Sequence, residues 1–303
     1  MMIRTVGTTL AALLGLAFGS FLNVCLSRWP QGESVVNPRS HCRSCARTLT
    51  WWENIPLLSW VVLQGRCRTC KTKISWRYPM VELTLGVLWA LIAWRTIPSD
   101  FLTNVPAGVL HLQIFIGLSQ MLFFWILVAL AVLDLENLWL PNFLTWPAIG
   151  LGIILNFSKV IVISDLQKST ELPVVAMIGK FGPSNTNEVF IAPLAAAALI
   201  LLIRWTYWLI RRREGIGLGD AKLMAMLGAW LGLFGALLSL AIGVLLGAVF
   251  ALALLVLPRA RRESDSWLQS KLPLGTFLCI GGIISTLWGQ PIIAAYMHWV
   301  GLS

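Results

Sequence analysis

Long stretches with almost no charge are the feature that most constrains this chain. Within its 303 residues, seven stretches of roughly 19–35 residues carry at most two charged side chains each, and a transmembrane helix needs about 20 apolar residues. The whole chain follows the trend, since 57% of its residues are hydrophobic and only 12% are charged, against about 25% charged residues in soluble domains. This composition excludes an ordinary soluble enzyme, a disordered protein and a disulfide-stapled secreted domain.

These stretches predict an all-α polytopic membrane protein with about eight transmembrane helices. As one helix, residues 223–257 would be roughly 50 Å long, too long for one crossing of a ~30 Å core, so we divide them near Gly232 and Gly235. Arg28 and Pro30 follow the first stretch where a signal peptide would have a small-residue cleavage site, which favours a retained helix. The predicted spans are 5–27, 79–97, 112–133, 142–163, 189–210, two within 223–257, and 274–296; residues 164–188 look like a polar insertion.

The net charge of +10 indicates orientation rather than a nucleic-acid partner. With the N-terminus outside, the eight spans place 18 of the 23 Lys and Arg residues on the cytoplasmic side and five outside. Cytoplasmic loops of membrane proteins carry such an excess of basic residues. A single span over 223–257 would move the basic residues of 259–271 outside, which the same rule disfavours.

A polar segment at 28–78 carries four of the six cysteines. Its pattern is C-x2-C, twenty-one residues, then C-x2-C, and two such turns can present four thiolates tetrahedrally to Zn²⁺. The cytoplasm is reducing, so disulfides are disfavoured there, and a metal would supply folding free energy that so small a loop lacks. A redox-active pair and unliganded thiols are the alternatives. The expected structural zinc ligands are Cys42, Cys45, Cys67 and Cys70.

The remaining candidates for metal binding are weak. His41 adjoins the first cysteine pair, but four thiolates already complete the coordination of zinc. Cys25 and Cys279 each stand alone in an apolar stretch, where a cysteine is expected to be a small core residue.

Two aspartates at the ends of spans are the expected catalytic residues. Asp134 ends the third span, and Asp220 opens the sixth after the glycine-rich GIGLGD at 215–220. The predicted topology puts both at the cytoplasmic boundary. There two close carboxylates would share a proton, one acting as base towards water and the other as acid. Helix-end electrostatics favour Asp220 as base and Asp134 as acid. The alternative is that each aspartate merely caps or borders a helix.

Three further polar residues lie near these spans. Glu82 is a third carboxylate candidate, although Pro79 followed by an acid in the first turn is ordinary helix-start chemistry. Glu136 is expected to be a solvated loop acid. Lys222 either tunes the aspartate pair or extends to the membrane interface.

The order of the motifs resembles the type IV prepilin peptidases, bifunctional leader peptidase/N-methyltransferases of type IV pilus and type II secretion systems. The resemblance covers most of the chain and implies that Asp134 and Asp220 are the catalytic aspartates and that the four cysteines bind zinc. The matching motifs are GSFLNV (19–24), PRSHC-x2-C (38–45), NIPLLSW (54–60), GRC-x2-C (65–70), ISWRYPMVE (74–82), D-x6-P-N (134–142), GIGLGDAKL (215–223), LGAWLG (227–232) and PLGTFL (273–278).

The resemblance further implies what the protein acts on. Members cut the basic leader from prepilins or pseudopilins after a Gly at the cytoplasmic face, then methylate the new N-terminal residue, commonly Phe, with S-adenosylmethionine. The cysteine loop distinguishes bifunctional members from peptidase-only relatives. The expected location is the bacterial inner membrane, as a multi-pass protein with its active site facing the cytoplasm. Membrane lipid and the pilins are the expected partners, and nucleic acid is not.

The expected domains are a first helix at 1–27, a zinc-binding domain at 28–78 and a helical bundle at 79–303 that carries the aspartyl protease site. The chain departs from the family pattern at Asn142, often Asp, and at PLGTFL, usually PFGPFL. It has no glycine-rich nucleotide fingerprint, so the methyl-donor site is not located; GSFLNV, Arg77 and Glu82, which flank the cysteine loop, are the candidates.

Three other functions remain open at this stage. A peptidase without methyltransferase activity fits the aspartates. A transporter would place its acids near the membrane midplane and carry internal repeats, which we do not find. A zinc-bearing scaffold would give the G-x-G-D loop no role.

Overall fold

A computed structural model describes residues 2–97, 107–169, 182–212, 217–256 and 273–301. The regular secondary structure of these ranges is helical, apart from two isolated β-bridges in the cysteine segment. Two short 3₁₀ helices, Trp29–Gln31 and Trp51–Asn54, lie in the cysteine segment. The α-helices are α1 Met2–Arg28, α2 Leu58–Val62, α3 Arg77–Thr96, α4 Ala107–Asn137, α5 Asn142–Ser169, α6 Thr186–Arg211, α7 Leu218–Val256 and α8 Leu274–Val300. The predicted all-α membrane fold is confirmed.

Six of these helices, α1 and α4 to α8, are long and apolar enough to cross a membrane, counted over the described ranges. The prediction of about eight spans also counted α3, which coincides with the span expected at 79–97, and divided α7 into two.

The predicted break in α7 is confirmed at Gly232. Its backbone has φ 72° and ψ 179°, a region that essentially only glycine adopts. A break leaves backbone carbonyls without helical partners, and in an apolar environment these need other donors. The side-chain amide of Asn156 in α5 donates to the carbonyls of Ala229 at 2.9 Å and Trp230 at 3.3 Å. Residue 235 remains helical.

Backbone contacts divide the chain into two compact units, Met1–Ala129 and Leu130–Ser303. The first contains α1, the cysteine segment, α2, α3 and most of α4, and the second contains the end of α4 and α5 to α8. The division at 1–27, 28–78 and 79–303 follows expected function rather than compactness and stays a prediction.

In the first unit, α1 packs closely against α3. A Cβ on Gly15 would lie 2.6 Å from the carbonyl oxygen of Leu85, and one on Gly19 would lie 2.7 Å from the Cα of Glu82. Small residues allow this approach of two backbones. Near the end of α1, Asn23 donates to the carbonyl of Tyr78 at 3.0 Å. The two ends of the cysteine segment are thereby held together.

In the second unit, α7 packs against α5, α6 and α8. Glycine again permits close approach, because a Cβ on Gly228 would lie 2.6 Å from the carbonyl oxygen of Ala192 in α6. At the first turn of α7, Lys222 donates from Nζ to Oδ1 of Asn142 at 2.6 Å. This contact ties the beginning of α7 to the beginning of α5.

Part of the sequence reasoning falls on residues outside the described ranges. These include Gly215 and several of the basic residues behind the charge asymmetry. The middle of the insertion expected at 164–188 also lies outside them. The basic residues concerned are Lys180, Arg213, Arg259, Arg261, Arg262 and Lys271.

Candidate functional site

The four cysteines of the polar segment converge. Their sulfur atoms all lie within 4.8 Å of one another, and the Sγ atoms of Cys42 and Cys70 are 3.7 Å apart. Zinc binds thiolates at about 2.3 Å, so a tetrahedral site has sulfur–sulfur edges of about 3.8 Å. The cluster therefore fits the predicted zinc site.

Each cysteine pair is shaped by the same backbone turn. The N–H of Cys42 donates to the carbonyl of Arg47, and the N–H of Cys67 donates to that of Thr72, both at 2.9 Å. Ala46 and Lys71 follow the second cysteine of their pairs, with φ of 55° and 58°. The two turns are equivalent, which is why two C-x2-C pairs make one four-sulfur cluster.

The cluster crowds its thiols electrostatically. Hydrogen bonds from Thr72 lower the pKa of Cys70 to about 6. The Arg47 backbone opposes the shift at Cys45, but desolvation and hydrogen bonds with the other three cysteines raise its pKa to about 11. Without a metal, the neighbouring thiols therefore resist being charged together. A bound divalent cation would allow all four to be thiolates, because it deprotonates a coordinating thiol outright.

Glu53 anchors the first turn of the cysteine segment. Its side chain is 1% exposed and pairs with Arg47 at 2.5 Å. The carboxylate also accepts hydrogen bonds from the backbone and hydroxyl of Thr50 at 2.8 and 2.7 Å. Burial disfavours the charged carboxylate, but the bonds from Arg47 and Thr50 outweigh it and lower the pKa of Glu53 to about 2.

Asp134 is fixed by the beginning of another helix. It lies in the last turn of α4 and is 6% exposed. Its Oδ2 accepts a hydrogen bond from the backbone N–H of Thr276 at 2.7 Å. The Thr276 hydroxyl shares its one proton between Oδ2 of Asp134 at 3.2 Å and the carbonyl of Ala131 at 2.9 Å. The backbone of Gly275 adds a further bond. The first four N–H groups of a helix lack internal partners, and Asp134 accepts from two of those of α8.

Asp220 lies in the first turn of α7, and its carboxylate is hydrogen-bonded by the backbone of Gly217. It interacts electrostatically with Asp134. The side chain of Leu140 contacts the segments that hold both aspartates. Its Cδ1 would lie 3.1 Å from a Cβ on Gly219, next to Asp220, and 3.2 Å from a Cβ on Gly275, which bonds to Asp134. The structure thus brings together the two aspartates that the sequence singled out.

The partners of Asp134 are the part of this site that the sequence reasoning missed. Thr276 stands where the family pattern usually has proline, which has no N–H to donate. That substitution is the signal that could have pointed to this contact. Because Asp134 also faces a helix N-terminus, the argument from helix ends no longer distinguishes acid from base.

The other singled-out residues have simpler positions. Cys25 and Cys279 are buried, as expected. Glu136 is exposed, and Lys222 bonds to Asn142. Glu82 is buried and accepts a hydrogen bond from the backbone of Leu57 at 2.8 Å.

Comparison with protein families gives two matches in chain order. Residues 13–96 match the bacterial peptidase A24 N-terminal domain, and residues 121–252 match the type IV leader peptidase family. The first match contains the cysteine cluster, and the second contains both aspartates. The chain belongs to the type IV leader peptidase family.

Full-length relatives agree with this assignment. Proteins named prepilin leader peptidase/N-methyltransferase are 30% identical in Stutzerimonas stutzeri, over 96% of this chain and 94% of theirs, and 32% identical in Pseudomonas aeruginosa, over 95% and 93%. The protein of that name from Aeromonas salmonicida is 32% identical over 96% and 94%. No solved structure matches this chain.

Proposed function

We infer that this membrane enzyme cleaves the leader of prepilins or pseudopilins with Asp134 and Asp220, and then methylates the new N-terminal residue. The observation that carries the proposal is the approach of these two carboxylates at helix ends, within a chain of this family. The relatives' name supports both activities. The basic asymmetry of the sequence supports an active site facing the cytoplasm of a bacterial inner membrane.

The paired carboxylates suit peptide hydrolysis. One takes a proton from water, and the other gives a proton to the oxygen of the scissile carbonyl. Two carboxylates that lie a few ångströms apart would share a proton and act as a unit. The bonds from Thr276 and Gly275 hold one face of Asp134, which keeps that carboxylate oriented without a metal in the reaction.

The substrate fits this position on physical grounds. A prepilin joins a basic leader to an apolar helix, and the bond between them lies where the helix leaves the membrane. Asp134 ends one span and Asp220 begins another, so both lie at the end of an apolar segment. A transporter would use carboxylates nearer the midplane.

For methylation, the first unit would hold structural zinc on its four cysteines, and bound S-adenosylmethionine would supply the methyl group. The zinc contributes no chemical step here. It stabilises a segment with little apolar core, because Cys67 is the buried hydrophobic residue among the described residues of 29–76. Purified protein should contain about one zinc per chain, and Cys42→Ser should lower that content together with the melting temperature of the segment.

The decisive experiment measures cleavage of a prepilin by detergent-purified enzyme. Asp134→Ala and Asp220→Ala should each abolish processing. Glu136→Ala is the matched control, because this exposed acid lies two residues from Asp134 and its variant should cleave within a few-fold of wild type. Normal processing by either aspartate variant would refute the pair. Labelled S-adenosylmethionine in the same assay tests methylation, and an unlabelled mature N-terminus would leave a peptidase alone.

A further inference from the structure

A cavity of about 590 Å³ lies in the first unit, between the cysteine segment and the adjoining ends of α1 and α3. Ligand sites in proteins measure about 300–1,000 Å³. The wall combines charged, hydroxyl and aromatic side chains. It includes Trp60, whose buried indole N–H has no hydrogen-bond partner in the described part of the chain.

The cavity contains a buried cation without a carboxylate partner. Arg28, the last residue of α1, is 5% exposed. Its guanidinium donates to the carbonyls of Ser34 at 2.8 Å and Pro38 at 2.7 Å. Both acceptors are neutral, and across the described ranges no carboxylate lies within ion-pair distance of Arg28. A buried charge of this kind is costly unless something pairs with it.

The cavity also contains a buried anion without a cation. Glu82, in the second turn of α3, is 6% exposed and lines the same wall. It accepts a hydrogen bond from the backbone of Leu57 at 2.8 Å and one from the hydroxyl of Ser20. No described Lys or Arg, Arg28 included, forms an ion pair with it. One cavity therefore presents two buried, opposite and separately unpaired charges.

We propose that this cavity is the S-adenosylmethionine site, with Arg28 binding the carboxylate of the donor and Glu82 facing its positive charges. The inference rests on the proposed methyltransferase function and adds the location of its donor site. An α-amino acid carries a carboxylate and an ammonium group a few ångströms apart, and the sulfonium adds a second positive charge. Arg28 would then pair with the carboxylate of the donor, and Glu82 with its ammonium or sulfonium group. Trp60 and Tyr78 offer aromatic surface and a free N–H to the adenine.

Neither charge is explained as well by a purely structural role. Arg28 does bind loop carbonyls, but neutral side chains could do the same without the cost of burying a charge. The sequence placed Glu82 in the first turn of its helix, but the helix begins at Arg77, so Glu82 lies beyond the first turn and stabilises the helix end little. Their placement in one cavity of ligand size distinguishes this pair from Glu53 and Arg47, which neutralise each other.

The test is equilibrium binding of tritium-labelled S-adenosylmethionine to the full-length protein in detergent. Glu82→Gln keeps an acceptor for Leu57 but removes the charge, and Arg28→Gln removes the cation. Each should weaken donor binding at least tenfold, whereas Glu82→Asp and Arg28→Lys should retain part of the affinity. The matched control is Arg39→Gln, because Arg39 is an exposed cation of the same segment that does not line the cavity. Its dissociation constant should stay within twofold of wild type.

Zinc content and melting temperature establish that each variant is folded. A folded Glu82→Gln with wild-type donor affinity would overturn the proposal, as would lost methylation with unchanged donor affinity, which would assign the cavity to the peptide instead. If the charge-removing variants fail to fold, ultraviolet cross-linking of the labelled donor to wild type decides. Label within residues 20–82 is expected, and label in the second unit contradicts the site. Wild-type protein that neither binds nor uses the donor would refute the proposed methyltransferase function itself.

Discussion

Gly275→Ala is the sharpest test of how Asp134 is held. A Cβ at this position would lie 2.9 Å from Oδ2 and 3.0 Å from Cγ of Asp134, where ordinary contact begins at 3.4 Å. The carboxylate must therefore move by about 0.5 Å, away from donors it now meets at 2.7 and 3.2 Å. A 1 Å misplacement of a catalytic group can cost about 100-fold in rate. Half that displacement predicts about a tenfold fall in kcat, or about 1.4 kcal/mol.

The assay is steady-state cleavage of a prepilin, with the melting temperature measured on the same samples. Gly289→Ala is the matched control, because it lies in the same helix and its Cβ would meet Leu238 and Ser285 at 3.5 Å, an ordinary contact. Replacing a helical glycine by alanine generally stabilises by up to about 1 kcal/mol, so this control should cleave normally and melt no lower than wild type. Wild-type kcat in Gly275→Ala would refute the reasoning, and so would equal losses in the two variants.

Three further variants test separate contacts. Thr276→Val removes a hydroxyl whose one proton is shared between Oδ2 of Asp134 at 3.2 Å and the carbonyl of Ala131 at 2.9 Å, and it keeps the backbone bond to Asp134. We expect kcat to fall about fivefold, corresponding to about 1 kcal/mol, and Thr276→Ser to restore it; a normal rate for the valine variant would contradict this role. Glu53→Gln should destabilise the cysteine segment at pH 7. Because the pKa of Glu53 is about 2 in the folded protein, below its ordinary value, the difference in stability between wild type and variant should disappear as pH falls from about 5 towards 2. Unfolding followed by tryptophan fluorescence measures this difference, and a difference that does not change with pH would exclude the Arg47 pair as its source. Gly232→Ala should lower the melting temperature, since its φ of 72° costs another residue about 1–3 kcal/mol; an unchanged melting temperature would show that the break is not strained.

The pattern of the sequence was sufficient for the architecture. Uncharged stretches of span length predict helices because the membrane leaves no other way to satisfy backbone groups. The length of the stretch at 223–257 required a break, because one straight helix could not fit the membrane, and the glycines at 232 and 235 indicated where it lies. The four cysteines could be assigned together because the spacing within each pair fixes a local turn, and local geometry is what sequence spacing encodes.

Only the tertiary structure decided which groups surround the charged residues. The donors to Asp134 come from residues 275 and 276, more than 140 positions along the chain, and no periodicity relates such distant segments. The same is true of Arg28 and Glu82, which read as a loop border and a helix start in the sequence and become two unpaired charges of one cavity. The sequence determines which residues lie at the ends of spans, because the composition of each stretch decides whether it is buried in the membrane. Which donors and acceptors surround a buried charge at that position depends on how the helices pack, and the packing depends on contacts throughout the fold.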